Sequence, residues 1–142
     1  MQVYVSPEVK KRYRFDFGRN VEGLLKAVPV DHLQGLERVV VVPLWKSGRK
    51  PALGWYDRHF ENNGPAIIIC ADPLLGRYPR IIQYLPLIPK MLLAETLFHE
   101  VAHHYQQLSH GIKRERWQMD ADRYAQAMTK KAFRPHLRWM TL

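Results

Sequence analysis

Apolar residues in the first half of the chain form short, continuous runs. Residues 38–45 begin with a β-branched run, and residues 66–70 read Ala-Ile-Ile-Ile-Cys; both are typical of buried strands. Residues 52–56 form a shorter candidate strand between them. Turn-forming segments at residues 46–51 and 58–65 separate the runs. The pattern therefore predicts a small, mostly antiparallel sheet built from hairpins.

Helical spacing of apolar residues replaces this pattern after a proline-rich connector. We expect one long helix from about Pro89 to about Ser109, ended by Gly111, and a second from about residue 114 to residue 128 or beyond. Shorter helical segments are expected at residues 20–27 and 81–85. The predicted fold is therefore α+β, with the sheet packed against the first long helix and the second helix returning antiparallel to it. The length of 142 residues suits a single domain.

The first long helix carries the pattern H-E-x-x-H at His99-Glu100-Val101-Ala102-His103. Positions four apart share one face of a helix, so the imidazoles of His99 and His103 project side by side. This spacing suits two nitrogen ligands on one zinc ion, with Glu100 beside the metal as a general base for hydrolysis. A pair of purely structural histidines is the simpler alternative, but the glutamate between them argues against it. The sequence predicts a Zn²⁺ cofactor held by His99 and His103, and a catalytic Glu100.

A catalytic zinc ion takes three protein ligands and a water, so a third ligand must come from another element. If two antiparallel helices are joined near Gly111, the residue opposite the histidine pair lies about as far after Gly111 as the pair lies before it. That distance leads to about position 121. Asp122 is the closest carboxylate with a suitable facing, whereas Asp120 points about 160° away from it on a helix. Glu115 shares the Asp122 face but lies about two turns earlier. We therefore expect Asp122 to be the third metal ligand.

The same residues resemble a known family, the gluzincin clan of metallopeptidases, especially its minimal single-domain members. The resemblance rests on the H-E-x-x-H pattern with Leu97-Phe98 before it, and on Ala121-Asp122-Arg123-Tyr124-Ala125 in the second helix. It covers roughly residues 38–128, and it implies that residues 1–142 form one zincin-like domain. It also implies a peptidase in which an upstream edge strand pairs with an extended peptide substrate. Residues 66–70 are the candidate for that strand.

One position departs from the clan's pattern. The metal-binding glutamate of the clan would fall at Gln118, and a neutral glutamine amide is a poor zinc ligand. Three interpretations stay open. Asp122, which in the clan orients the first histidine, is the ligand itself; Asp120 or Glu115 substitutes through a shifted register; or the site binds metal weakly or not at all.

Other polar residues are assigned by residue type and position alone. Tyr124 and His110 are candidate donors to the oxyanion that forms during peptide hydrolysis. His104 is a further nitrogen donor, but its place on the helix turns it away from the metal face. Cys70 is the only cysteine, which excludes an internal disulfide and suits a cytoplasmic location; its strand makes it an inert core thiol.

The charge balance adds an open question about partners. Lys and Arg total 22 against 13 Asp and Glu, a formal charge of +9, which leaves nucleic acid open as a partner. No nucleic-acid motif accompanies the charge, so a solvated basic surface is the simpler interpretation. No apolar run reaches the length of a membrane span, and we expect no membrane partner. Fourteen of the 22 basic residues fall in four clusters: Lys10, Lys11, Arg12 and Arg14; Lys46, Arg49 and Lys50; Lys113, Arg114 and Arg116; and Lys130, Lys131, Arg134 and Arg138.

Two functions, and a third that is related to the first, follow from these observations. Glu100 favours a zinc-dependent peptidase that acts on a peptide or protein substrate, because a scaffold alone has no need of a general base. Gln118 favours a zincin-like binding or regulatory module with little or no protease activity, with nucleic-acid association as one form of it. The positive charge would suit a protease for nucleic-acid-bound proteins, as in Spartan-type enzymes. This sequence, however, has no third histidine at the place where such an enzyme would have one. The sequence specifies neither the substrate nor the oligomeric state.

Overall fold

The computed structural model describes residues 1–44, 52–85, 87–108 and 117–137, without the side chains of residues 117–119 and 135–137. The expectations for the turn at residues 46–51, the helix end at Gly111, His110, Glu115 and the side chain of Gln118 lie outside the described residues. In chain order, the strands and helices are β1 (Gln2–Val5), α1 (Pro7–Arg12), α2 (Phe17–Leu25), β2 (Arg38–Val42), β3 (Gly54–Asp57), β4 (Ala66–Cys70), α3 (Leu87–Leu108) and α4 (Trp117–Leu137).

The four strands form one mixed sheet in the order β1-β2-β4-β3. β1 pairs with β2 in parallel, β2 pairs with β4 in parallel, and only β3 runs antiparallel to its neighbour β4. The α+β class is confirmed, but the expectation of a mostly antiparallel sheet is wrong. A sheet built from hairpins would pair each strand with the next one along the chain. Here β3 pairs with the outer edge of β4, so β2 and β4 are neighbours. Apolar runs without alternation are what strands buried on both faces require.

The two faces of the sheet enter two separate apolar clusters. Alternate residues such as Val39 and Ile67 face the main core, which also contains Phe17 from α2 and Leu97 from α3. The intervening residues, Val40, Ile68 and Cys70 among them, pack around Phe60 in a smaller cluster. Cys70 is a buried thiol, as its place in an apolar strand predicts. The central strands β2 and β4 are therefore covered on both faces, and the α3 side of the sheet carries the larger core.

Helices α3 and α4 pack against each other in antiparallel directions, as expected. Lys90 near the start of α3 lies 5.5 Å from the ring of Phe133 near the end of α4, and His99 contacts Asp122 further along. Ala121 and Ala125 of α4 are buried, and their small side chains allow the two helices to approach closely. Within the described residues, no helix is both long enough and apolar enough to cross a membrane.

Candidate metal centre

The two histidines of the H-E-x-x-H pattern face each other on α3. Their Nε2 atoms are 3.1 Å apart, and the ring planes make an angle of 79°. Both side chains are partly buried. One turn of helix therefore brings the two imidazole nitrogens to a common point, as the spacing of four residues predicts.

The second nitrogen of each imidazole has an oxygen acceptor. Nδ1 of His99 lies 3.0 Å from Oδ1 of Asp122, and Nδ1 of His103 lies 3.0 Å from Oε1 of Gln106. An oxygen acceptor at Nδ1 favours the tautomer that carries its proton there and leaves the Nε2 lone pair for a metal ion. At 3.1 Å the two Nε2 atoms are also within hydrogen-bond distance, so in the metal-free protein a proton on one Nε2 joins the two rings, and a cation bound by both nitrogens replaces it. This arrangement of acceptors behind metal-binding histidines is the usual outer support of a metal site.

The geometry gives Asp122 the orienting position. Its carboxylate contacts Nδ1 of His99, on the side of the ring that faces away from the Nε2 atoms. Among the described residues, His99, Glu100 and His103 form the group whose ligand atoms all lie within 4.8 Å of one another. The identity of a third protein ligand stays a prediction, because the side chains of Gln118, Glu115 and His110 are not described.

Glu100 is buried, with 8% of its surface exposed. Burial raises the pKa of its carboxyl from 4.5 to about 7. Strand β3 is one cause, since it crosses α3 at Gly54, where an added Cβ would lie 2.7 Å from Cγ2 of Thr96 and 3.2 Å from Cγ of Glu100. Only glycine permits this approach of strand backbone to helix. The sequence signal for this contact is an isolated glycine in a short strand, which marks a close backbone approach.

The strand beside the metal centre is β3, at the edge of the sheet. β4 pairs with β2 on one side and β3 on the other, so residues 66–70 have no free edge. Their assignment as the substrate-pairing edge strand is wrong, because two further strands take up both of their edges. The edge of the described sheet beside α3 is formed by Gly54–Asp57.

Two grooves meet at His99. A groove of about 330 Å³ runs between β3 and α3, past Gly54 and Glu100. A second, of about 450 Å³, runs between α3 and α4, past Asp122 and Lys130. His99 lines both, so a ligand in either groove lies beside its imidazole.

Two residues assigned by type have other roles in the structure. His104 is buried and bonds through Nδ1 to the hydroxyl of Tyr56 and through Nε2 to the carbonyl oxygen of Gln34, each at 2.8 Å. The expectation that His104 points away from the metal face is confirmed. The hydroxyl of Tyr124 lies 2.7 Å from Nδ1 of His32, about 160° around α4 from Asp122. The structure therefore gives Tyr124 no place as an oxyanion donor.

Comparison with known proteins adds no relative to this picture. No family model, curated protein sequence or solved structure matched the chain.

The raised pKa of Glu100 has a consequence for the metal-free protein. Between pH 4.5 and pH 7 the folded state keeps a proton on Glu100 that the unfolded state has released. The folded state then binds more protons, so the free energy of unfolding falls as the pH rises through this window, by about 3 kcal/mol in total. Glu100→Gln has no carboxyl at this position, so its free energy of unfolding should not show this fall between pH 4.5 and pH 7. Urea unfolding in a chelator at pH 5, 6, 7 and 8 measures the difference.

His103 and His104 change the free energy of unfolding in the opposite direction, and both are present in the wild type and in Glu100→Gln. Burial lowers the pKa of His103 and of His104, so their contribution to stability is lost as the pH falls below 6.5. Glu95→Gln, an exposed position on the same helix, is the matched control and should follow the wild-type profile. Parallel profiles for Glu100→Gln and the wild type from pH 5 to pH 8 would contradict a buried, protonated Glu100.

Proposed function

We propose that the protein is a zinc-dependent peptidase. The observation that carries this proposal is the convergence of the Nε2 atoms of His99 and His103, each ring held by an acceptor at Nδ1, beside the buried carboxyl of Glu100. Two imidazoles one helical turn apart, each with an oxygen acceptor at Nδ1, are the nitrogen donors that zinc favours. The residues present therefore fit a zinc ion in two of the three protein positions of a catalytic site.

The residues around the site have distinct roles in hydrolysis. When bound, zinc acts as a Lewis acid that lowers the pKa of a coordinated water toward neutrality. Glu100 accepts the proton of the attacking water and delivers it to the leaving amine. Burial raises the pKa of this carboxyl in the metal-free protein, and a bound cation beside it would lower the pKa again and so favour the ionised form that accepts a proton. Asp122 and Gln106 keep the two imidazoles in orientation.

The edge strand β3 supports a peptide as substrate. It pairs with β4 on one side, and within the described residues no strand lies on its other side. An extended peptide adds to such an edge through backbone hydrogen bonds, with alternate side chains entering the neighbouring groove. Gly54 lies at the start of this strand, directly above Glu100, so a peptide paired with β3 would pass beside the general base.

A second candidate is a zincin-like binding or regulatory module without protease activity. The observation that favours it is the position of Asp122 behind His99, which leaves the third protein ligand unassigned among the described side chains. Two imidazoles alone bind zinc more weakly than a complete set of three ligands. Such a module would keep the cleft and the edge strand but not a loaded metal centre.

Cleavage of a random peptide library tests the proposal against this alternative. The zinc-loaded protein should release new amino termini; a chelator should abolish the release and added zinc should restore it. His99→Ala purified in parallel is the control for a contaminating protease. Peptide binding without cleavage at any zinc concentration would favour the binding module and end the peptidase proposal.

A further inference from the structure

A basic groove lies at the end of α1 and shares no lining residue with the two grooves at His99. Its volume is about 620 Å³. Five exposed cationic side chains line this basic groove: Lys10, Lys11, Arg12, Arg14 and Arg80. Four come from one run of sequence, whereas Arg80 belongs to a short 3₁₀ segment, Arg80–Tyr84, that the fold brings against it. The charge is thus concentrated in a concave surface and not only along the chain.

Most of this charge is not neutralised by acidic neighbours. Arg12 pairs with Asp72 at 2.8 Å and with Glu8 at 3.7 Å. Within the described part of the chain, Lys10, Lys11 and Arg80 form no salt bridge. The basic groove therefore keeps a net positive potential toward solvent, which attracts an anionic partner.

Aromatic rings alternate with these cations. Tyr13, Tyr78 and Tyr84 line the basic groove, and Tyr84 is 62% exposed. The guanidinium of Arg14 lies 5.0 Å from the centroid of the Tyr84 ring, and the backbone N–H of Arg14 donates to Oε1 of Gln83. These contacts join the end of α1 to the 3₁₀ segment and hold Tyr84 beside the cationic side chains. A planar ring beside an arginine is a surface on which a nucleobase can stack.

We propose that the basic groove binds single-stranded nucleic acid, with the cationic side chains along the phosphate backbone and Tyr84 stacked against a base. Single strands bind proteins through this combination of a positive channel and stacking aromatic residues. A membrane surface is flat and would not enter a groove, and an acidic peptide has no base to use the exposed ring. The site is independent of the peptidase proposal, because it shares no residue with the metal centre.

Salt-dependent binding of a fluorescent 15-nucleotide oligo(dT), followed by anisotropy, tests the proposal. The wild type should bind, with a logarithm of affinity that falls linearly with the logarithm of salt concentration. The double variant Lys11→Ala and Arg80→Ala should lower the slope by about 1.4, since each phosphate contact on a single strand contributes about 0.7. Tyr84→Leu should weaken binding at least about fivefold at every salt concentration, by removing a stacked base.

A second double variant separates a local site from general charge. Lys131→Ala with Arg134→Ala removes the same net charge from exposed positions on α4 and should leave both affinity and slope near wild type. Glu100→Gln should also bind as the wild type does. Equal losses in the two double variants would overturn the proposal, as would full affinity in Tyr84→Leu. Binding to vesicles with anionic lipid, but not to oligo(dT), would overturn it in favour of a membrane surface.

Discussion

Replacing Glu100 with glutamine should lower the rate of peptide cleavage by about 10²- to 10⁴-fold, the range that a general base supplies. Glutamine has nearly the same shape but cannot accept a proton. The neighbouring imidazoles keep their acceptors Asp122 and Gln106, because neither contact involves Glu100. Zinc content should therefore stay at the wild-type level while turnover is lost.

Three measurements on the same preparations make this result decisive. Metal analysis establishes that the variant is loaded, circular dichroism establishes that it is folded, and cleavage of the library peptides gives the rate. Glu95→Gln lies on the same helix and lines both grooves, so it matches the change in charge without touching the general base; it should cleave within a few-fold of wild type. A loaded, folded Glu100→Gln that cleaves as fast as the wild type would remove Glu100 from the mechanism.

Zinc affinity should separate ligands from orienting residues. His99→Ala and His103→Ala each remove a nitrogen donor, and we expect neither protein to retain zinc during dialysis. Asp122→Asn should weaken zinc binding by about 10- to 100-fold, the usual cost of losing an outer partner of a metal-binding histidine. Competition with a chromophoric zinc chelator measures these affinities over the required range.

Two further substitutions sharpen this comparison. Gln106→Leu removes the acceptor of His103 at similar volume, and it should weaken zinc binding to a degree comparable with Asp122→Asn. Asp120→Asn, two residues before Asp122 on α4, should have no effect. A complete loss of zinc in Asp122→Asn, equal to that in His99→Ala, would show that Asp122 is a direct ligand. Unchanged affinity in both Asp122→Asn and Gln106→Leu would contradict the orienting roles.

The local parts of the site follow from sequence because they depend on one helix. The facing of His99 and His103, the adjacency of Glu100 and the divergence of His104 all come from the 3.6-residue period of α3. The antiparallel return of α4 after a short connection is enough to predict that Asp122 lies next to the histidine pair. It does not predict which nitrogen of His99 the carboxylate meets, because that depends on the rotation of α4 about its own axis.

Sequence by itself determined the α+β class, the strand of residues 66–70 to its ends, and the position of the histidine pair. These features depend on patterns within one segment, where the chain's own geometry decides which side chains share a face. Only the tertiary structure decided the strand order, the edge position of β3, the burial of Glu100 beneath Gly54 and the joining of Arg80 to the lysines of α1. Each of these is a contact between distant segments, and such contacts depend on how whole elements pack together, which no local pattern encodes.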